Sequence, residues 1–112
     1  MEPEVVNLRV TVPALAEAIV SDLVRQSGVI TKVTIHFPPG CAALVDVAVR
    51  VKNEQLVPAS GFIALDDVTT PFVVNKPVRQ EDEVSARIRN GDGANPHTIS
   101  VILENTPPSE TS

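Results

Sequence analysis

Apolar and polar residues change places one by one through most of this chain, and each such run stops at a cluster of proline, glycine, asparagine or aspartate. The clearest run sets Val45, Val47, Val49 and Val51 against Asp46, Ala48, Arg50 and Lys52. A period of two is that of a pleated strand with one dry and one wet face. The opening segment repeats it, with Val6, Leu8, Val10 and Val12 opposite Asn7, Arg9 and Thr11, and Pro13 ends it or marks an edge. Ile30 to Phe37 turns Val33, Ile35 and Phe37 inward and Lys32, Thr34 and His36 outward. Further strands are predicted over Ala43 to Lys52, Gln55 to Val57, Phe62 to Leu65, Thr70 to Asn75, Glu83 to Asn90 and His97 to Glu104, with Lys76 to Asp82 a polar connection. Only Ala14 to Ser27 fits two templates: Leu15, Ile19 and Leu23 have helical spacing, while Ile19, Ser21 and Leu23 alternate. Strands surround it and no good N-cap precedes it, so a strand from about Ala18 to Gln26 is preferred to a helix.

About eight short strands separated by turn chemistry predict an all-β fold, a two-layer antiparallel sandwich of jelly-roll or immunoglobulin-like topology. A chain of 112 residues suits one such domain. It is read as residues 1–104, opening with a strand or arm over 1–13, followed by a polar tail over 105–112. Both ends are expected to extend as arms, Met1-Glu2-Pro3-Glu4 on one side and the segment with Pro107-Pro108 on the other.

Composition narrows the function. The three phenylalanines are the whole aromatic complement, so the core must be valine, isoleucine and leucine, and no Trp or Tyr is present to stack on a sugar. Net charge is -5 and the basic residues are scattered, which disfavours nucleic acid and anionic membrane as partners. No apolar stretch approaches the roughly 20 residues of a membrane span, and the acidic start is unlike a secretory signal. Cys41 is the only cysteine, excluding an intrachain disulfide and a cysteine zinc site, and is read as a small buried residue.

Each polar cluster has a structural reading beside a functional one. Asn90, Asp92 and Asn95 crowd oxygens into one loop, and Asp66-Asp67 would complete a calcium shell if the loops share an end of the sandwich. The dense turn Asn90-Gly91-Asp92-Gly93 explains the same residues and is preferred. His36 and His97 with Asp66 or Asp67 are the candidate set for a transition metal. Histidines that fix turns by hydrogen bonds are the preferred reading. No G-x-S-x-G, paired carboxylates in an aromatic cleft or phosphate loop is present, so an enzyme is not expected and no cofactor is assigned.

Ile35-His36-Phe37-Pro38-Pro39-Gly40-Cys41-Ala42-Ala43-Leu44-Val45, Asn90-Gly91-Asp92 and Pro96-His97-Thr98 resemble small β-sandwich structural proteins of tailed viruses of bacteria and archaea, over about Gly28 to Glu104. The resemblance implies a non-enzymatic, self-associating capsid decoration, spike or tail-associated subunit, located in the virion. Its partners would be copies of itself and a capsid or tail protein. His36, Pro38, Pro39, Gly40, Asn90, Gly91, Asp92, Gly93 and His97 would then shape the turns, with no catalytic residue carried over. The alternative expectation is a binding module for a carbohydrate or protein, using the Asp66-Asp67 and Asn90-to-His97 loops.

Overall fold

The computed structural model describes residues 3–41, 43–52, 54–58 and 61–107. Eight strands among them form two antiparallel four-stranded sheets. β1 spans Glu4–Val12, β2 Glu17–Leu23, β3 Gly28–Phe37, β4 Val45–Val51, β5 Glu54–Val57, β6 Val68–Val78, β7 Glu83–Asn90 and β8 His97–Thr106. One sheet has the order β1-β8-β3-β6 and the other β2-β7-β4-β5. Pairing of β1 with β8, β2 with β7, β3 with β6 and β4 with β5 makes the chain one long hairpin, rolled up so that β3 meets β8 and β4 meets β7. That is the jelly-roll order, and it selects between the two sandwich topologies the sequence allows.

Alternation places the core. Val6, Leu8 and Val12 of β1, Val45, Val47, Val49 and Val51 of β4, Val84, Ala86 and Ile88 of β7, and Ile99, Val101 and Leu103 of β8 are all buried. β-branched side chains suit this layer because they are stiff and fill a pleated surface, each contributing about 1.5–3 kcal/mol when fully buried. In β3 the parity flips midway: Ile30 is buried, and so are Val33, Ile35 and Phe37. The cause is a bulge between Ile30 and Lys32, which pair with Asn105 and Glu104 on β8, so Thr31 is the extra residue.

Four expectations are corrected. Residues 18–26 do contain a strand, but it spans Glu17–Leu23, and Val24 leaves it to bond across to the next turn, its N–H donating to the Asp82 carbonyl at 3.0 Å. Phe62 to Leu65 is not a strand; only Ile63 makes an isolated bridge, to Val47. Lys76 and Pro77 are not a connection, because β6 runs on to Val78, and proline is tolerated there since β6 is an edge. Asn105 and Thr106 are not tail: they finish β8, and Asn105 is fully buried. The outer ends of the expected arms, residues 1–2 and 108–112, lie outside the described residues.

Candidate functional site

The two-residue period that buries Val84, Ala86 and Ile88 carries on to Asn90, and the one that buries Ile99, Val101 and Leu103 begins at His97. Both polar side chains therefore cap the core where the β7–β8 loop turns. Asn90 Nδ2 faces three carbonyl oxygens, those of Val12 at 3.0 Å, Pro13 at 3.2 Å and Asn95 at 2.9 Å, while its Oδ1 accepts the Asp92 N–H at 2.9 Å. Asp92 Oδ1 accepts the N–H groups of Ala94 at 2.8 Å and Asn95 at 3.3 Å. Its Oδ2 lies 2.8 Å from His97 Nε2 and 3.5 Å from Asn95 Nδ2. The His97 hydrogen bond, followed by the Ala94 amide, lowers the Asp92 carboxyl to about 2.

Neighbouring loops close around this knot. Leu15 N–H donates to the Asp92 carbonyl at 3.1 Å, and Gly91 N–H to the Leu44 carbonyl at 2.8 Å. Gly40, at φ 96°, passes close to the His97 ring, where an added Cβ would sit 3.7 Å from Cε1. Cys41 is fully buried, and burial, then the charges of Asp66 and Asp92, push its thiol up.

Of the residues singled out in the sequence, Asn90, Asp92 and His97 come together, with Gly40, Gly91 and Cys41 against them. Asp66 is close enough to act on Cys41 through its charge, whereas Asp67 stays exposed at φ 46°. His36 does not join His97: it projects from the other face of its sheet, with Nδ1 2.8 Å from Thr69 Oγ1. Pro38 is half-buried; Pro39 and Gly93 are exposed. Among the described residues no three His, Cys, Asp or Glu side chains converge as a metal requires, and both Asp92 oxygens are already engaged by donors. The knot ties the β7–β8 loop to the β1–β2 turn and to the β3–β4 loop.

A second polar cluster lies at the opposite end, where Glu4 of the expected arm and Asn105 of the expected tail meet Arg25 and Gln26 after β2. Asn105 Nδ2 donates to Glu4 Oε1 at 3.1 Å and to the Gln26 carbonyl at 2.9 Å, and Glu4 Oε2 accepts the Arg25 N–H at 2.8 Å. Extending the Ile99-Val101-Leu103 alternation by one step would have found Asn105. Near this end Asp22, Leu23, Val24, Arg25, Gln80 and Glu81 line an open cleft of about 280 Å³.

The remaining surface feature is an asymmetry between the two sides of the sandwich. On one side β5 is only 4 residues long, β6 carries Pro71 and Pro77, and Lys76 Nζ bridges the sheets to Glu54 Oε2 at 3.0 Å. Prolines and a short strand are the usual protection of a sheet edge. On the other side β1 and β2, 9 and 7 residues long, are edges without proline. Exposed apolar residues occur on both sides: Val5, Leu15, Ile19 and Leu23 on these two strands and their turn, and Val68 and Val73 on the proline-bearing β6.

No protein-family model and no curated protein matches the chain. Solved structures similar to it include FLHE, at 14% identity and a TM-score of 0.49 over 95% of this chain and 99% of that one. Another is the Yersinia pseudotuberculosis-derived mitogen, at 11% identity and 0.46 over 94% and 87%. A third comes from Bacillus endospore appendages, described as a novel family of disulfide-linked pili, at 16% identity and 0.40 over 96% and 92%. None of these likenesses bears on what this chain binds or does.

Proposed function

We propose that the chain is a non-enzymatic, self-associating structural subunit of a virus particle, acting as a capsid decoration, spike or tail-associated component. The observation that supports self-association is the β1–β2 side, where two proline-free edges coincide with four exposed apolar residues, while the opposite edges are broken by Pro71 and Pro77 in β6 or cut short in β5. Unpaired strand edges invite another chain, and a soluble protein that leaves them open on one side only is equipped for a specific contact. The assignment to a virus particle rests on the loop motifs around His36 and His97, and the jelly roll, which recurs in viral capsid proteins and also in lectins and cupins, is compatible with it.

Size-exclusion chromatography with light scattering tests the association. The expected result is a mass that is a multiple of the 11.9 kDa chain; a persistent monomer overturns the reading. The genes flanking this one test the particle assignment, where capsid, portal or terminase neighbours support it and consistently unrelated neighbours refute it.

A further inference from the structure

Self-association through the β1–β2 side leaves open whether copies add head to tail or close as a pair. We infer that the partner of this side is the same side of a second copy, joined across a two-fold axis that runs β1 antiparallel to β1 and sets β2 beside β2. This rests on the self-association reading above. A head-to-tail contact would need β1 of one copy to pair with β6 of the next, but Pro71 and Pro77 offer no amide donor to an added strand. The short β5, backed by the Ile63 bridge to Val47, is no better a template for β2. An isologous contact uses only the open edges, and it closes.

Side-chain chemistry favours a register centred on Asn7. That register sets Asn7 opposite its own copy, where two amides can exchange hydrogen bonds, and sets Arg9 opposite Val5. Arg9 makes no ion pair among the described residues, and Val5 is 60% exposed. Beside Val5 in the same sheet stands Glu104, paired with it in the β1–β8 register, half-exposed and held only loosely by Lys32 at 3.9 Å. Arg9 of one copy thus lies over the exposed Val5 of the other and reaches Glu104, once on each side of the axis. Size decides that both strands take part. An edge roughly 25 Å long and one sheet wide is too narrow, whereas two sheets about 10 Å apart raise the contact to roughly 1,000 Å² in total, the lower bound for a specific interface. The half-buried Val10, Ala18 and Val20 then gain cover along the seam, together with exposed Ile19 and Leu23.

Cysteine cross-linking of the full chain distinguishes the arrangements, since native Cys41 is fully buried and contributes little background. In Asn7→Cys, two cysteines opposite one another fall within disulfide range, because directly opposed strand residues lie about 4.5–5.5 Å apart at Cα. Mild oxidation is expected to convert Asn7→Cys to a covalent dimer, while Val73→Cys, 92% exposed on β6, stays a single chain on a non-reducing gel. Arg9→Glu is expected to raise the dissociation constant about tenfold, that is about 1.4 kcal/mol. An oligomer in which Val73→Cys cross-links and Asn7→Cys does not, or in which both link equally, overturns the two-fold edge contact but leaves self-association standing. An unchanged constant in Arg9→Glu overturns the register. A monomeric parent chain overturns the functional reading itself.

Discussion

At the scale of single residues, the sharpest dependence is on Asn90. Its amide is a donor to backbone carbonyls of the β1–β2 turn and of its own loop, and its carbonyl is an acceptor for Asp92, so both ends of one small group are used. Asn90→Ala strands several buried backbone groups and is expected to cost about 2–4 kcal/mol, from roughly 1–3 kcal/mol for each group left unpaired. Asn90→Asp keeps the shape but points an acceptor at three carbonyl oxygens, so it should be no better; urea melts of both variants check this. Gly28→Ala would press a Cβ onto the Thr106 carbonyl oxygen and Asn105 Oδ1, and about 1–3 kcal/mol of overpacking strain is expected. Asp92 sets an acid limit. Its carboxyl titrates near 2 in the fold, below the ordinary 3.8, so the stability it confers is complete above about pH 4 and is lost as pH falls through 2. Melting temperatures between pH 5 and pH 2 should therefore fall less steeply in Asp92→Asn than in the parent, and equal slopes would show that the knot does not hold a charged carboxylate.

At the scale of elements, protection of β6 is the feature most open to change. Pro71→Thr with Pro77→Thr restores two amides to a strand that already presents Val68 and Val73 to water. The expected outcome is growth beyond the closed pair, read as rising light scattering with concentration, with little change in the stability of the folded unit. How much of the architecture could be read from sequence also divides by element. β4, β7 and β8 were legible because nothing interrupts their period, and the same period, carried one step of two residues further, announces Asn90, His97 and Asn105 as inward. β3 was half legible, since the bulge at Thr31 reverses parity without leaving a mark in composition. β6 was read only over Thr70 to Asn75, because Lys76-Pro77 reads as a strand end unless the strand is known to be an edge. Phe62 to Leu65 looked like a strand because it is apolar, yet its order comes from contacts remote in sequence: the Ile63 bridge, and the Arg89 guanidinium lying 3.7 Å from the Phe62 ring centre while bonding Asp46 at 2.9 Å. Arg89→Ala should cost only about 1 kcal/mol, as exposed pairs and cation–π contacts do, and should raise hydrogen exchange at Ile63 before other sites.

At the scale of the whole molecule, the rolled hairpin makes every sheet contact except the β4–β5 turn long-range, so both ends of the chain must be in place before either sheet is complete. β1, the first strand, is held only by β8, the last, and both its termini are tied by polar clusters, Glu4 to Asn105 at one end and the Val12 carbonyl to Asn90 at the other. An edge strand fastened in this way is rigid enough to serve as a template, which is what a contact between copies demands. If copies pair as proposed, association adds to the stability of the fold. Pairing confined to folded copies raises the free energy of unfolding with chain concentration, by about 0.7 kcal/mol per chain for each tenfold increase once well above the dissociation constant, and the midpoint rises with it. The melting temperature of the parent chain should therefore climb with protein concentration. Ile19→Lys combined with Val5→Lys, which sets like charges across the axis without touching the core, should melt at one temperature at every concentration. A parent midpoint that ignores concentration, alongside an oligomeric mass, would mean that association does not favour the folded chain over the unfolded one, which would overturn a contact between the folded edges of β1 and β2.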